Sequence, residues 1–181
     1  MSLAIFDALR VVLAALLSGI AVKIMDDCID REYDAALVLP NLSNRYGTGI
    51  VAYGMLSLLL ACISHITLTV ALFTSAYAVG MGFTDTTTYP TRLRGRGEVL
   101  LAIAVSLSFT GFRITVLALS VMVGAQLIDD WIDERKFFRY PVAALGLFCM
   151  AVLCATEYAL LVLFAYALFF ALERWVYRCL Q

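Results

Sequence analysis

Charge is the scarcest commodity in this sequence. Only 15% of its 181 residues are Asp, Glu, Lys or Arg, whereas soluble domains run near a quarter. A water-soluble globule and a disordered chain are both excluded. The formal net charge of −1 leaves no electrostatic footprint for a polyanion, so nucleic acid is not an expected partner. Histidine occurs once, as His65, so histidine is not expected to carry catalysis. The five cysteines (Cys28, Cys62, Cys149, Cys154 and Cys179) fall in no metal-ligand spacing and read as small apolar packing residues. Residues 1–10 lack a basic leader region and a small-residue cleavage site. They are expected to be retained along a membrane surface and not to act as a signal peptide.

What fills the chain is apolar surface: 63% of residues are hydrophobic and the mean hydropathy is +0.92. Four stretches carry it, residues 11–25, 49–83, 99–128 and 141–172, the third broken only by Arg113 and the last only by Glu157. A crossing takes about 20 residues, and a helix of 35 would run roughly 52 Å, well beyond a hydrocarbon core of about 30 Å. Each long stretch is therefore expected to be a helical hairpin, turning near residues 64–65, 110–113 and 155–157. His65, at the first turn, is expected to serve packing or the interface. The sum is an all-α, multi-pass transmembrane bundle of about seven helices, forming a single membrane domain over 1–181. An even count, with one hairpin being a single kinked helix, stays open. Under the seven-helix reading the loops 26–44, 84–97 and 129–139 share one face with the C-terminus. Ten of the thirteen Lys and Arg residues lie there, which places that face in the cytoplasm.

The acidity is concentrated in two windows. One runs Asp26-Asp27-Cys28-Ile29-Asp30-Arg31-Glu32-Tyr33-Asp34, the other Asp129-Asp130-Trp131-Ile132-Asp133-Glu134-Arg135. Both read Asp-Asp-x-Ile-Asp and both follow an apolar crossing, so two pseudo-repeated halves are expected, roughly 1–97 and 98–181. On a helix, residues four apart share a stripe, which groups Asp26, Asp30 and Asp34, and likewise Asp129 and Asp133. Like charges so stacked cost a helix a few tenths of a kcal/mol per pair unless a cation binds. Oxygen-only carboxylate clusters suit Mg²⁺, which bridges carboxylates to substrate phosphates. The alternative is a solvated acidic segment that keeps apolar helices in register, and it explains one window better than two. Lys23 precedes the first window by a turn and Arg31 lies inside it. Between the windows, Tyr89-Pro90-Thr91-Arg92-Leu93-Arg94-Gly95-Arg96-Gly97 offers three guanidinium forks among glycines, as phosphate binding requires. Tyr89, Arg92, Arg94, Arg96, Lys23 and Arg31 are thus candidate substrate-binding residues. Positive-inside anchoring is the other reading of that loop.

The first window resembles the Asn-Asp-x-x-Asp-Arg-x-x-Asp motif of the UbiA-type intramembrane prenyltransferases. Asp129-Asp130-Trp131-Ile132-Asp133 is similar to that family's second motif, and residues 89–98 to its basic middle loop. The resemblance implies that Asp26, Asp30, Asp34, Asp129 and Asp133 bind Mg²⁺, with Asp30, Asp34 and Asp133 essential to catalysis. It implies a prenyl diphosphate held by Lys23, Arg92 and Arg94, ionised, and captured by a lipophilic, usually aromatic acceptor. Family members usually have nine helices; the seven here would match the second through eighth, so a second copy or a partner protein could complete the walls of the prenyl tunnel. A membrane terpene cyclase on the same site is the alternative enzyme. A degenerate, non-catalytic membrane partner or cation-binding protein is the alternative outside enzymology.

Overall fold

The computed structural model describes residues 2–82, 90–132, 146, 149–150, 152–153 and 155–180. The regular elements among them are helical: α1 (Ser2–Ile29), α2 (Arg31–Leu37), α3 (Leu42–Tyr46), a 3-10 turn (Gly47–Gly49), α4 (Ile50–Tyr77), a π turn (Ala78–Gly82), α5 (Gly95–Ile132) and α6 (Thr156–Leu180). Four stretches are long and apolar enough to cross a membrane: Ala4–Ile29, Leu42–Gly80, Gly95–Leu127 and Thr156–Val176. The chain is all-α, as its hydropathy dictates.

Two of those stretches are interrupted, each where the sequence called for a turn. In α5 the break is Gly111 (φ 77°, ψ 167°), a backbone conformation that essentially only glycine occupies. Across it, Ser106 Oγ and Thr115 Oγ1 stand 3.0 Å apart, whereas nine residues of unbroken helix would span about 13.5 Å. The two arms of α5 therefore fold back on each other. Thr115 Oγ1 also donates to the Gly111 carbonyl at 2.9 Å, and Thr110 Oγ1 to the Ser106 carbonyl at 2.8 Å, so the hydroxyls at the turn have partners within the chain. In α4 the break is His65 (φ −157°, ψ 87°). The last carbonyl before it, on Ser64, accepts from Arg10 Nε at 2.8 Å. The first turn after it is capped by His65 itself, whose Nδ1 accepts from the Leu68 amide at 3.3 Å. One orphaned backbone group at each of the two helix ends thus finds a side-chain partner.

The chain forms two compact units, Met1–Thr69 with Leu161–Gln181, and Val70–Leu160. In the first, α1 buries Val11, Ala14, Ala15, Ser18, Ala21 and Ile24, a stripe at spacings of three and four. Its opposite face exposes Ile5, Phe6, Leu9, Leu13 and Met25. Small residues inside and large ones outside is the membrane-helix pattern, because lipid solvates large apolar groups while close packing needs small ones. The closest approach is at Gly54, where an added Cβ would sit 3.0 Å from Ile24 Cγ2.

Contacts fix the helix directions within this unit. Ile24 meets Gly54 and Arg10 meets Ser64, so α1 and the first arm of α4 run antiparallel. Phe169 packs on Gly19 and Lys23 pairs with Glu173, four residues on in each helix, so α1 and α6 run parallel.

In the second unit Ala78, Val99 and Ala102 form a small core, with Tyr77 and Ile103 packed against it.

Candidate functional site

The first acidic segment lies where α1 ends. The inward stripe of α1 continues through Ile24 to position 27, so Asp27 faces in and is 1% exposed, while Asp26 faces out. Both Asp27 oxygens are used: Lys23 Nζ stands 3.3 Å from Oδ1, and the Leu42 amide donates to Oδ2 at 2.8 Å. Asp27 therefore fastens α1 to the start of α3. A buried carboxylate survives only with such partners.

Asn41 completes the fastening. As N-cap of α3, its side-chain oxygen accepts from the Asn44 amide at 2.9 Å. Its Nδ2 donates to the Asp27 carbonyl at 2.8 Å and to Asp34 Oδ2 at 2.9 Å. Asn44 Nδ2 in turn donates to the Arg31 carbonyl at 3.0 Å. The segment between α1 and α3 is thereby folded back over the end of α1.

The three carboxylates of the sequence stripe sit on this frame. Asp30 departs mildly from helix geometry (φ −85°, ψ 9°) and separates α1 from α2. The backbone bonds Asp30 N to Asp26 O (2.9 Å) and Asp34 N to Asp30 O (2.8 Å) nevertheless keep the four-residue repeat. Asp26 is exposed, and Asp30 and Asp34 are half-buried.

Lys23, expected to meet phosphate, stands among carboxylates: 3.3 Å from Asp27, 3.4 Å from Asp26 and 3.7 Å from Glu173 on α6. Three negative charges and one positive leave this quartet at −2. Arg31 is exposed on α2.

The middle loop belongs to the second unit. Arg92, Arg94 and Arg96 are all exposed, and Arg92 has left-handed backbone (φ 65°). The loop is pinned by Glu98, which is buried and accepts from Thr91 Oγ1 and from Tyr77 OH at 3.3 Å. The Arg94 carbonyl takes the Gly97 and Glu98 amides at 2.7 and 3.1 Å and so starts α5. Asp129 lies in the last turn of α5. Tyr89 and Asp133 lie outside the described residues.

Among the described residues, no three His, Cys, Asp or Glu side chains gather around one point as a metal cage would require. Mg²⁺ seldom uses such a cage; it is held by one or two carboxylates together with substrate phosphates and water.

Sequence reasoning had passed over Asp27, Asn41, Glu98 and Glu173. Two had a readable signal: Asp27 continues the inward stripe of α1, and Asn41 precedes Leu42 and Asn44 as an N-cap does. Glu173 had none, because its partner comes from a helix distant in sequence. Comparison of the chain with protein-family models, curated proteins and solved structures finds no match.

Proposed function

We propose that this protein is a Mg²⁺-dependent intramembrane prenyltransferase of the UbiA type. It would transfer a prenyl group from a polyprenyl diphosphate to a lipophilic, aromatic acceptor. The observation that carries the reading is the Asp26, Asp30, Asp34 series, held at four-residue spacing by the Asp30 N–Asp26 O and Asp34 N–Asp30 O bonds where a membrane-length helix ends. Like charges at that spacing cost a helix a few tenths of a kcal/mol per pair, a cost that a bound cation would offset.

The residues divide the work as follows. Asp26, Asp30 and Asp34 on the first unit, and Asp129 and Asp133 on the second, would be the Mg²⁺ ligands, and the ion would supply positive charge against the diphosphate leaving group. Arg31, Arg92, Arg94 and Arg96, with Tyr89, bind the phosphate oxygens. Lys23 bridges Asp26, Asp27 and Glu173 and so helps the acidic segment stay folded. The apolar helix faces keep water from the allylic cation until the acceptor attacks it.

The same reading has the chain cross the bilayer seven times in two pseudo-repeated halves, with α4 and α5 each supplying two crossings. The parallel run of α1 and α6 supports an odd count, because successive crossings alternate in direction and a fourth would oppose the first. The arginine-bearing loops would then face the cytoplasm, and a second copy or partner protein could supply further walls.

A second reading is a non-catalytic membrane partner; the structural use of Asp27, Asp34 and Asn41 in holding α3 to α1 favours it. Diphosphate release in lipid nanodiscs decides between them, with Mg²⁺, a series of prenyl diphosphates, aromatic acceptors added or withheld, and Asp30→Asn as the blank. Release that needs acceptor is the expected result. Release without acceptor, with a hydrocarbon or alcohol product, makes the protein a cyclase. Release no greater than the blank gives the site to the non-catalytic reading.

A further inference from the structure

The turn after α2 carries a residue that the fold itself does not reward. Val38 ends α2 in left-handed backbone (φ 56°, ψ 35°), where glycine is the usual occupant and a β-branched side chain is strained. Val38 is 90% exposed, and its neighbours Leu37 and Leu39 are 52% and 39% exposed. None of the residues of α2 is buried. The chain therefore bears both strain and apolar exposure at one tip, with no return in packing among the described residues.

The surroundings point to what covers that tip. Three residues on, Asn41 is bonded to the Asp27 carbonyl, in the last turns of the membrane-length stretch Ala4–Ile29. Three residues of chain reach at most about 11 Å, so Val38 stays near the end of that membrane-length stretch. Tyr33 and Tyr46, exposed on the same segment, are the residue type that collects at headgroup depth. Arg31 and Arg45 are exposed beside them, and Arg45 lies over the Tyr46 ring, 6.0 Å from its centroid. Apolar tip, tyrosine shoulders and guanidinium groups together make an interfacial anchor, with the guanidinium groups at the level of lipid phosphates.

We propose that residues 37–39 insert into the bilayer the helices cross, so that the segment holding Asp30 and Asp34 rests on lipid. This does not depend on the reaction proposed above. The test places single tryptophans in the full chain, with Trp131 and Trp175 replaced by phenylalanine, in phosphatidylcholine–phosphatidylglycerol vesicles carrying bromine on the acyl chains. Val38→Trp and Leu39→Trp are expected to emit to the blue and to lose roughly half or more of their emission to the brominated lipid. Glu32→Trp, exposed on the same helix, is expected to lose little. Val38→Gly separates the explanations further. It relieves the backbone strain, so it should preserve or raise thermal stability in detergent while weakening the quenching of the Leu39→Trp reporter. Emission at 38 and 39 that is quenched by aqueous acrylamide and not by bromine overturns the proposal. So does blue emission that bromine leaves untouched, which would assign the tip to a protein contact.

Discussion

The side-chain amide of Asn41 donates to Asp34 Oδ2 across 2.9 Å, joining the far end of the acidic segment to the cap of the next helix. The same nitrogen holds the Asp27 carbonyl at 2.8 Å. One residue outside the acidic run thus sets where that run goes after α1 ends.

Asn41→Ala removes an N-cap and two side-chain bonds at once. The expected loss is about 2 kcal/mol, combining a cap of about 1 kcal/mol with a comparable sum for the other bonds. Urea unfolding in detergent, followed by circular dichroism, reads it. Asn41→Ser keeps a capping oxygen and should recover about half.

Lys23→Met takes away the ammonium that sits between Asp27 and Glu173. Leaving a buried carboxylate without its partner costs about 3–5 kcal/mol in fully buried pairs. Lys23 keeps 24% exposure, which places the expected loss near the lower end. Adding Glu173→Gln to Lys23→Met should cost less than the two single changes summed, and a double-mutant cycle measures that coupling. Additive losses would deny the bridge.

Gly111→Ala forces a side chain into backbone that only glycine adopts freely, at a cost of about 1–3 kcal/mol. Ser106→Ala, which removes one partner of the hydroxyl pair across the same turn, should cost about 1 kcal/mol. The order of the two unfolding midpoints is the check. Equal midpoints would mean the turn opens without strain.

Parallel α1 and α6 predict opposite faces for the two ends of the described chain. In a background free of the native cysteines, Ser2→Cys should label from one side of an oriented vesicle. Arg178→Cys and Asn44→Cys should label from the other. Labelling of Ser2→Cys and Arg178→Cys from the same side would sink the odd count of crossings.

Much of the fold was legible because bilayer partitioning is a sum over neighbours in sequence. The runs at 49–83 and 99–128 are too long for one crossing, and the chain does break inside each, at His65 and at Gly111. The four-residue spacing of Asp26, Asp30 and Asp34 was likewise local; two backbone bonds span it, while the break between α1 and α2 at Asp30 was not legible. Position in sequence and the family resemblance pointed Lys23 to phosphate, and neither could show the three carboxylates that stand around it.

Composition and order along the chain determined that this protein is helical, that its long helices are apolar enough to cross a membrane, and where two of them turn, because each follows from hydropathy and local backbone preference. Only the tertiary structure decided which aspartate of the Asp26-Asp27 pair is buried against α3, that Glu173 reaches Lys23, and that Ser106 meets Thr115. Those pairings depend on which small residues let two backbones approach and in which direction each helix runs. Such distances are set through space, between residues that the sequence holds apart.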